Sequence, residues 1–190
     1  MRVRDEFKRE ALFEATVKVV NRTGFASSSV ARIAAEAGIS PATIYIYYKN
    51  KEDLLVSTYV EIKKELSRAL LRDFDDTRPI RDILQRIWLN GFSYVSEHRD
   101  YFNFADQFAN SPFADLVDKA KIETFYEPMM QVLKRGIEQK IIKDIDLDLL
   151  LAFVFHPLMT LSNKRSCSKF DPKSGNIEKA FELAWDAIRL

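Results

Sequence analysis

The stretch from Val30 to Leu55, VARIAAEAGISPATIYIYYKNKEDLL, decides the fold of this chain. An apolar run with helical spacing leads to Gly38, a residue that readily takes the positive φ found after a helix end. Ser40 can cap a following helix, and Pro41 would occupy its first position, where the missing N–H costs nothing. Helices this short are stable only when they pack together. The stretch is therefore interpreted as a helix-turn-helix.

The second of these helices has side chains suited to a DNA major groove. Its early outward positions are small and include one hydroxyl, which allows close approach to base edges. Tyrosines and lysines follow, and these can hold phosphates. We expect the contacts with bases to come from Pro41, Ala42 and Thr43. We expect the contacts with phosphates to come from Tyr45, Tyr47, Lys49 and Lys51, and Tyr47 can serve either role. Ile44 and Tyr48 are expected to pack inside the motif. The alternative is a plain helical hairpin with solvated lysines.

The same residues resemble the N-terminal signature of the tetracycline-repressor (TetR) family of bacterial regulators. The resemblance covers roughly residues 3–55 and rests on Ile33, Ala34, Gly38, Ser40, Thr43, Tyr45, Tyr48, Lys51, Glu52 and Leu54. Pro41 departs from the family pattern, since many members carry Lys or another polar residue there, and Tyr48 stands where Phe is commoner. The operator sequence therefore cannot be carried over. The resemblance also implies that Ser28 or Ser29 lies against the DNA backbone.

Length and composition are typical of a globular protein. The 190 residues are 47% hydrophobic and 30% charged, without low-complexity runs. Because no strand alternation of useful length is present, we expect an all-α fold with about nine helices. We divide it into a three-helix helix-turn-helix DNA-binding domain over residues 1–50 and a larger helical domain for ligand binding and dimerisation over residues 51–190.

Several protein classes are excluded by what the sequence lacks. A single Cys cannot form an intrachain disulfide or a cysteine-based zinc site. No metal-ligand spacing, Gly-rich phosphate loop or nucleophile elbow occurs, so we expect no enzyme activity, no cofactor and no metal. The N-terminus, MRVRDEFKRE, has no apolar signal core, and no apolar run is long enough to span a bilayer. We therefore expect a cytoplasmic protein.

A long helix is predicted to follow the helix-turn-helix. Asn50 can cap it, and its apolar spacing continues past Leu70. About two dozen residues would span roughly 35 Å, enough to leave the first domain and enter the second. We expect this helix to transmit a signal between the two domains.

The larger domain is rich in aromatic residues. The whole chain has 14 Phe, seven Tyr and two Trp, most of them after the first domain. An interior glycine, Gly91, and an interior proline, Pro128, accompany them in predicted helices, a combination that suggests an apolar cavity. The candidate ligand-binding residues are Trp88, Phe92, Phe102, Phe104, Phe108, Phe125, Tyr126, Met129 and His156. The alternative for each is a filled core.

The run from Leu149 to Leu161, LLLAFVFHPLMTL, is almost continuously apolar. A helix this apolar must be covered on both sides, so it needs a partner beyond its own domain. The family resemblance implies that the last two helices of two subunits form a four-helix bundle, which makes the protein a homodimer. The function that we predict is a transcriptional repressor released from double-stranded operator DNA by a small apolar effector. The alternative is a DNA-binding regulator or architectural protein with no small-molecule effector.

Overall fold

A computed structural model describes residues 2–163, 167–173 and 175–190, and within these ranges the chain forms nine α-helices and one 3-10 segment. The helices are α1 (Arg2–Ser27), α2 (Val30–Glu36), α3 (Pro41–Tyr47), α4 (Lys51–Leu70), α5 (Ile80–Glu97), α6 (Arg99–Ala109), α7 (Lys119–Glu138), α8 (Leu147–Ser162) and α9 (Asn176–Ile188), with the 3-10 segment at Pro112–Leu116. Within these ranges, β-type backbone pairing occurs as an isolated antiparallel bridge between Ile142 and Arg189. The predicted all-α fold is confirmed.

The capping signals of the helix-turn-helix stretch all form. The Ser29 hydroxyl oxygen caps α2 by accepting the Arg32 N–H at 3.2 Å. Gly38 has a φ of 67°, in the region that glycine reaches without strain. The Ser40 hydroxyl oxygen caps α3 by accepting the Thr43 N–H at 3.3 Å. Local chemistry alone therefore defines where these two helices begin.

The chain forms two compact units, and the first consists of Met1–Lys63 and Asp100–Lys119. One of its cores holds the helix-turn-helix and contains Leu12, Ala15, Val19, Ile33, Ala34, Ile44 and Leu54. Its other core joins α1 and the first half of α4 to α6, and contains Val17, Val20, Leu55, Ile62, Phe104 and Phe108. The first core therefore fixes the position of the short helices α2 and α3, and the second core holds α6 against α1 and α4.

The second unit consists of Lys64–Arg99 and Ala120–Leu190, and in it α5 packs against α8 and α9. The buried Trp88 indole N–H donates to the Val154 carbonyl at 2.8 Å. A Cβ atom on Gly91 would lie 2.7 Å from Leu70 Cδ2 and 2.9 Å from Leu158 Cδ1. Gly91 is therefore explained by close packing and not by an adjacent cavity.

The compact units do not follow the predicted boundary at residue 50. The predicted boundary places α6 in the larger domain, but α6 lies in the unit that contains the helix-turn-helix. The reason is that Phe104 and Phe108 complete a core with Val20 and Leu55. Residues of α4 belong to both units. The functional division into residues 1–50 and 51–190 stays a prediction.

Two helices are shorter than expected. α4 has 20 residues and is about 30 Å long, and the chain turns soon after it, where Asp73 takes a φ of 57°. The sequence also predicts a helix from Asp115 to Lys140. That helix, α7, begins later, at Lys119, because Pro112–Leu116 forms the 3-10 segment capped by Ser111. No helix in the described part of the chain combines the length and apolarity that a membrane span requires.

Candidate nucleic-acid interface

The helix α3 has a buried side and an exposed side. Ile44 is completely buried in the core of the helix-turn-helix. On the other side Pro41 and Ala42 are exposed, Tyr45 is 57% exposed and Ile46 is 76% exposed. Ala42 and Ile46 are four residues apart and therefore share one face of the helix. The exposed side thus consists largely of apolar groups with one phenol.

The hydroxyl of Thr43 is already engaged within the protein. It lies 2.9 Å from the Ser40 hydroxyl, in addition to the backbone cap between the same two residues. Thr43 is half-buried. Since a hydroxyl has one hydrogen to donate and two lone pairs, Thr43 keeps some capacity for a base or phosphate, but its orientation is set by Ser40.

Tyr47 ties α3 to α1. Its phenol donates to Asp5 Oδ1 at 2.8 Å, and the Arg9 guanidinium lies over its ring, 5.2 Å from the centroid. The hydrogen bond to Asp5 is the main reason that the pKa of Tyr47 is raised, because it stabilises the neutral phenol. Tyr48, as predicted, packs against the helix-turn-helix core, and burial raises the pKa of its phenol. The contacts of Tyr47 with Asp5 and Arg9 therefore help to fix the orientation of α3 relative to α1.

Two predicted phosphate contacts, Lys49 and Lys51, have different surroundings. The ammonium of Lys51 donates to the Phe25 carbonyl at 2.7 Å, which links the start of α4 to the end of α1. Lys49 is exposed, and its backbone N–H donates to Asp53 Oδ2 at 2.9 Å. An ammonium has three donors, so Lys51 can hold a phosphate while it keeps this bond.

The structure corrects the expectation for Ser28. Its side chain is fully buried, and its hydroxyl donates to the Phe25 carbonyl at 2.8 Å. A buried hydroxyl that is bonded within the protein cannot lie against a DNA backbone. The neighbouring Ser29 is exposed at the N-terminus of α2, so Ser29 alone remains from the predicted pair.

An ion-pair cluster joins α2 to α1. The Glu36 carboxylate lies 2.5 Å from Lys18 Nζ and 3.3 Å from Arg22 Nη2. The hydrogen bond from Lys18 is the largest cause of the lowered pKa of Glu36, and the charges of both basic residues add to it. The cluster therefore helps to hold α2 against α1.

Ile46 is not among the residues predicted from the sequence to contact DNA. A signal was available, because Ile46 stands two positions after the inward Ile44 and four after the outward Ala42. At 100° per residue the first spacing turns a side chain to the opposite side of a helix, and the second returns it to nearly the same side.

The nine candidate ligand-binding residues divide between the two compact units. Phe102, Phe104 and Phe108 lie in the first unit, and the other six lie in the second: Trp88, Phe92, Phe125, Tyr126, Met129 and His156. Phe104 and Phe108 are completely buried, with ring centroids 5.4 and 5.9 Å from that of Phe25, so for these two the filled-core alternative is correct. His156 is exposed on α8.

A cavity of about 10 Å³ in the second unit lies between the end of α4 and the start of α5. Leu70, Arg72, Phe74 and Ile83 are among the residues that line it. This volume is close to the minimum that a single water molecule occupies. The cavity is too small for an effector in this conformation.

Comparison with known proteins identifies the family. Residues 12–58 match the family described as bacterial regulatory proteins, tetR family. Residues 79–189, more than half of the chain, match the family described as tetracyclin repressor-like, C-terminal domain. The two matches cover the helix-turn-helix and most of the remaining helices.

Individual relatives agree with the family match. The chain is 34% identical to a TetR family transcription regulator from Marinobacter aquaeolei VT8, whose crystal structure aligns over 100% of this chain and 99% of that one with a TM-score of 0.92. It is 26% identical to an uncharacterized HTH-type transcriptional regulator of Haemophilus influenzae over 95% of each chain. The nicotine-responsive transcriptional repressor HdnoR of Paenarthrobacter nicotinovorans is 31% identical over 46% of this chain and 45% of that protein.

These relatives are transcriptional regulators and not enzymes. The described helix-turn-helix, with its capped short helices and the exposed side of α3, is the DNA-binding domain of such a regulator. The chain therefore belongs to the TetR family of bacterial transcriptional regulators.

Proposed function

We propose that this protein is a homodimeric repressor that binds operator DNA through α3 and leaves it when a small apolar effector binds. The observation that supports this most directly is the exposed side of α3, which is held from behind by the buried Ile44. A regulator bound at a promoter can block transcription by occupying the site. Since chromosomal DNA is its target, we expect the protein in the cytoplasm.

The contacts with DNA divide between bases and backbone. Pro41, Ala42 and Thr43 begin α3, and we assign them to base edges, because small side chains let the helix approach closely. The exposed Tyr45 and Lys49, together with Lys51, are assigned to phosphates. Ser29 would meet the backbone from the N-terminus of α2. Tyr47, bonded to Asp5, serves to hold α3 in place and can add a backbone contact.

Dimerisation is supported by the exposed apolar side chains of the last two helices. Leu149, Phe153 and Met159 are exposed on α8, and Leu183 is 74% exposed on α9. Exposed apolar patches mark interaction sites in proteins. A second copy that covers these residues would present two α3 helices to two half-sites, ideally about 34 Å apart or at a multiple of it.

The effector is supported by the aromatic content of the second unit and by the name of one relative. Trp88 and Phe92 are stacked with their centroids 6.0 Å apart, and with Phe125, Tyr126 and Met129 they remain the candidate residues. HdnoR is named as nicotine-responsive, and nicotine is small and largely apolar. The close packing at Gly91 favours the alternative, a regulator without an effector.

The proposed function is tested with purified full-length protein and its own upstream DNA, labelled for fluorescence anisotropy. Repression by a dimer predicts tight binding to one upstream duplex and weak binding to a random duplex, with affinity that falls steeply between two salt concentrations. Sedimentation velocity should give a dimer. A library of small apolar compounds should contain members that lower operator affinity. Equal affinity for upstream and random duplexes, or a monomer at binding concentrations, would contradict the proposal, and release by no compound would favour the effector-free alternative.

A further inference from the structure

Ile46 is the most exposed of the large apolar side chains of α3. It is 76% exposed. This is unusual because the transfer of an isoleucine side chain out of water is favourable. Neither core of the first unit includes it among the described residues. A folded chain thus presents a branched aliphatic group to solvent in the middle of the helix that faces DNA.

Two polar groups near Ile46 are hydrogen-bonded to other side chains of the protein. The Thr43 hydroxyl is bonded to that of Ser40, and the Tyr47 phenol is bonded to Asp5. The face shared by Ala42 and Ile46 therefore consists of methyl and methylene groups. Among the base edges in a major groove, the apolar group that such a face can recognise is the 5-methyl of thymine.

We propose that Ile46 determines operator specificity by packing its side chain against the 5-methyl group of a thymine in each half-site, with Ala42 beside it. This inference rests on the proposed function, since it requires α3 to enter the major groove. It adds that recognition at this position is apolar. A hydrogen-bonding code, which the Thr43 hydroxyl had suggested, is not needed there.

The test removes the thymine 5-methyl group from the DNA and compares the effect in the wild type and in protein variants. Operators are first selected by the wild-type dimer from a pool of unmethylated random duplexes, so that a base methyl group can come only from thymine. Each symmetry-related pair of thymines is then replaced by deoxyuridine, which keeps the hydrogen-bonding edge of the base unchanged. Dissociation constants are measured for the wild type, Ile46→Ala and Leu116→Ala. Leu116 is the matched control, because it is an aliphatic residue of the same unit, 57% exposed, in the 3-10 segment.

We expect one thymine pair at which deoxyuridine weakens wild-type binding by about fifteenfold, or about fourfold for each methyl group, from the transfer free energy of one buried CH₂. Ile46→Ala should bind the thymine operator more weakly and lose nothing further at that pair. Leu116→Ala should behave like the wild type in both measurements. Because Ile46 is exposed, its replacement should leave the melting temperature unchanged.

Three results would overturn the role of Ile46 while leaving the proposed function intact. These are an operator without thymine in its half-sites, a wild-type protein indifferent to every deoxyuridine, and an Ile46→Ala variant with the same deoxyuridine penalties as the wild type. A random pool from which no sequence is enriched would instead contradict sequence-specific DNA binding itself, and the inference would fall with it. The two failures are therefore distinguishable.

Discussion

At the scale of single residues, Lys49 and Lys51 are neighbouring cations of one motif that make different contacts. Both are near the start of α4, and both were predicted from the sequence to contact phosphates. In the structure the Lys51 ammonium donates a hydrogen bond to the backbone carbonyl of Phe25. Lys51 therefore contributes to the stability of the unit, in addition to the phosphate contact that we predict for it.

We predict that Lys51→Ala lowers the free energy of unfolding by about 1 kcal/mol, the net contribution of one such hydrogen bond. The same variant should weaken binding to all duplexes alike and reduce the salt dependence of binding. Lys49→Ala is the control, and it should affect binding without affecting stability. Urea denaturation and anisotropy titrations measure the two effects, and equal stabilities for the two variants would contradict the assigned role of the Phe25 contact.

Residue roles were predictable where the chemistry is local and not where it depends on distant partners. Ser40 and Gly38 could be assigned from the sequence, because a cap and a positive φ are properties of a few adjacent residues. Ser28 and Tyr47 could not, because burial of the first and the bond between Tyr47 and Asp5 depend on how α1 packs against α2 and α3.

At the scale of elements, the ion-pair cluster between α1 and α2 should make the first unit sensitive to acid. The pKa of Glu36 is lowered in the folded protein, chiefly by the hydrogen bond from Lys18. The stabilisation by ionised Glu36 is therefore complete above the ordinary glutamate pKa of 4.5 and is lost as the pH falls through the lower pKa of the folded state.

We predict that Glu36→Gln lowers the melting temperature at neutral pH by a few degrees at most, since the pair is near the surface. Below both pKa values the variant and the wild type should melt together, because Glu36 is then protonated in the folded and unfolded states. Glu10→Gln, at an exposed position on α1, is the control and should show no such difference. A constant difference between Glu36→Gln and wild type at every pH would contradict an electrostatic origin.

The packing of α6 against α1 predicts a stability effect far from the helix-turn-helix in sequence. Phe104 is completely buried, with its ring centroid 5.4 Å from that of Phe25. We expect Phe104→Ala to cost about 3–5 kcal/mol of unfolding free energy, the usual range for a buried Phe, and to abolish operator binding with it. Phe7→Ala removes the same atoms from an exposed site and should cost little. Circular dichroism during urea denaturation measures both, and equal losses would contradict the core role of Phe104.

The membership of α6 in this unit was not predictable from the sequence. In the sequence this segment is dense in aromatic residues, and that density suggested a ligand cavity. The partners of Phe104 and Phe108 come from residues such as Val20 and Phe25, some 80 positions earlier. Periodicity describes which side of a helix is buried but does not identify what covers it.

At the scale of the whole molecule, the proposed dimer leads to a prediction for α9. Leu183 is 74% exposed in the isolated chain. If a second copy covers it, Leu183→Asp would bury two carboxylates in one symmetric interface, and the dissociation constant of the dimer should rise by more than about tenfold. Sedimentation velocity over a concentration series measures this constant.

The matched control for the dimer is Leu116→Asp, which makes the same exchange at an exposed leucine of the first unit. This variant should remain dimeric. Leu183→Asp should in addition bind the operator more weakly, because one α3 reaches only one half-site. An unchanged dimer in Leu183→Asp would contradict the use of α9 as the interface and would leave DNA binding to be explained by another assembly.

The discontinuous first unit has a consequence for protein engineering. Chimeric regulators are designed by joining the DNA-binding domain of one protein to the ligand-binding domain of another. The order of the predicted domains in the sequence suggests a single junction after residue 50. Here such a junction would exchange α6 and separate Phe25 from the rings of Phe104 and Phe108. A chimera that keeps the first unit intact needs three junctions, after Lys63, Arg99 and Lys119. Asp100–Lys119 is then transferred together with the N-terminal segment.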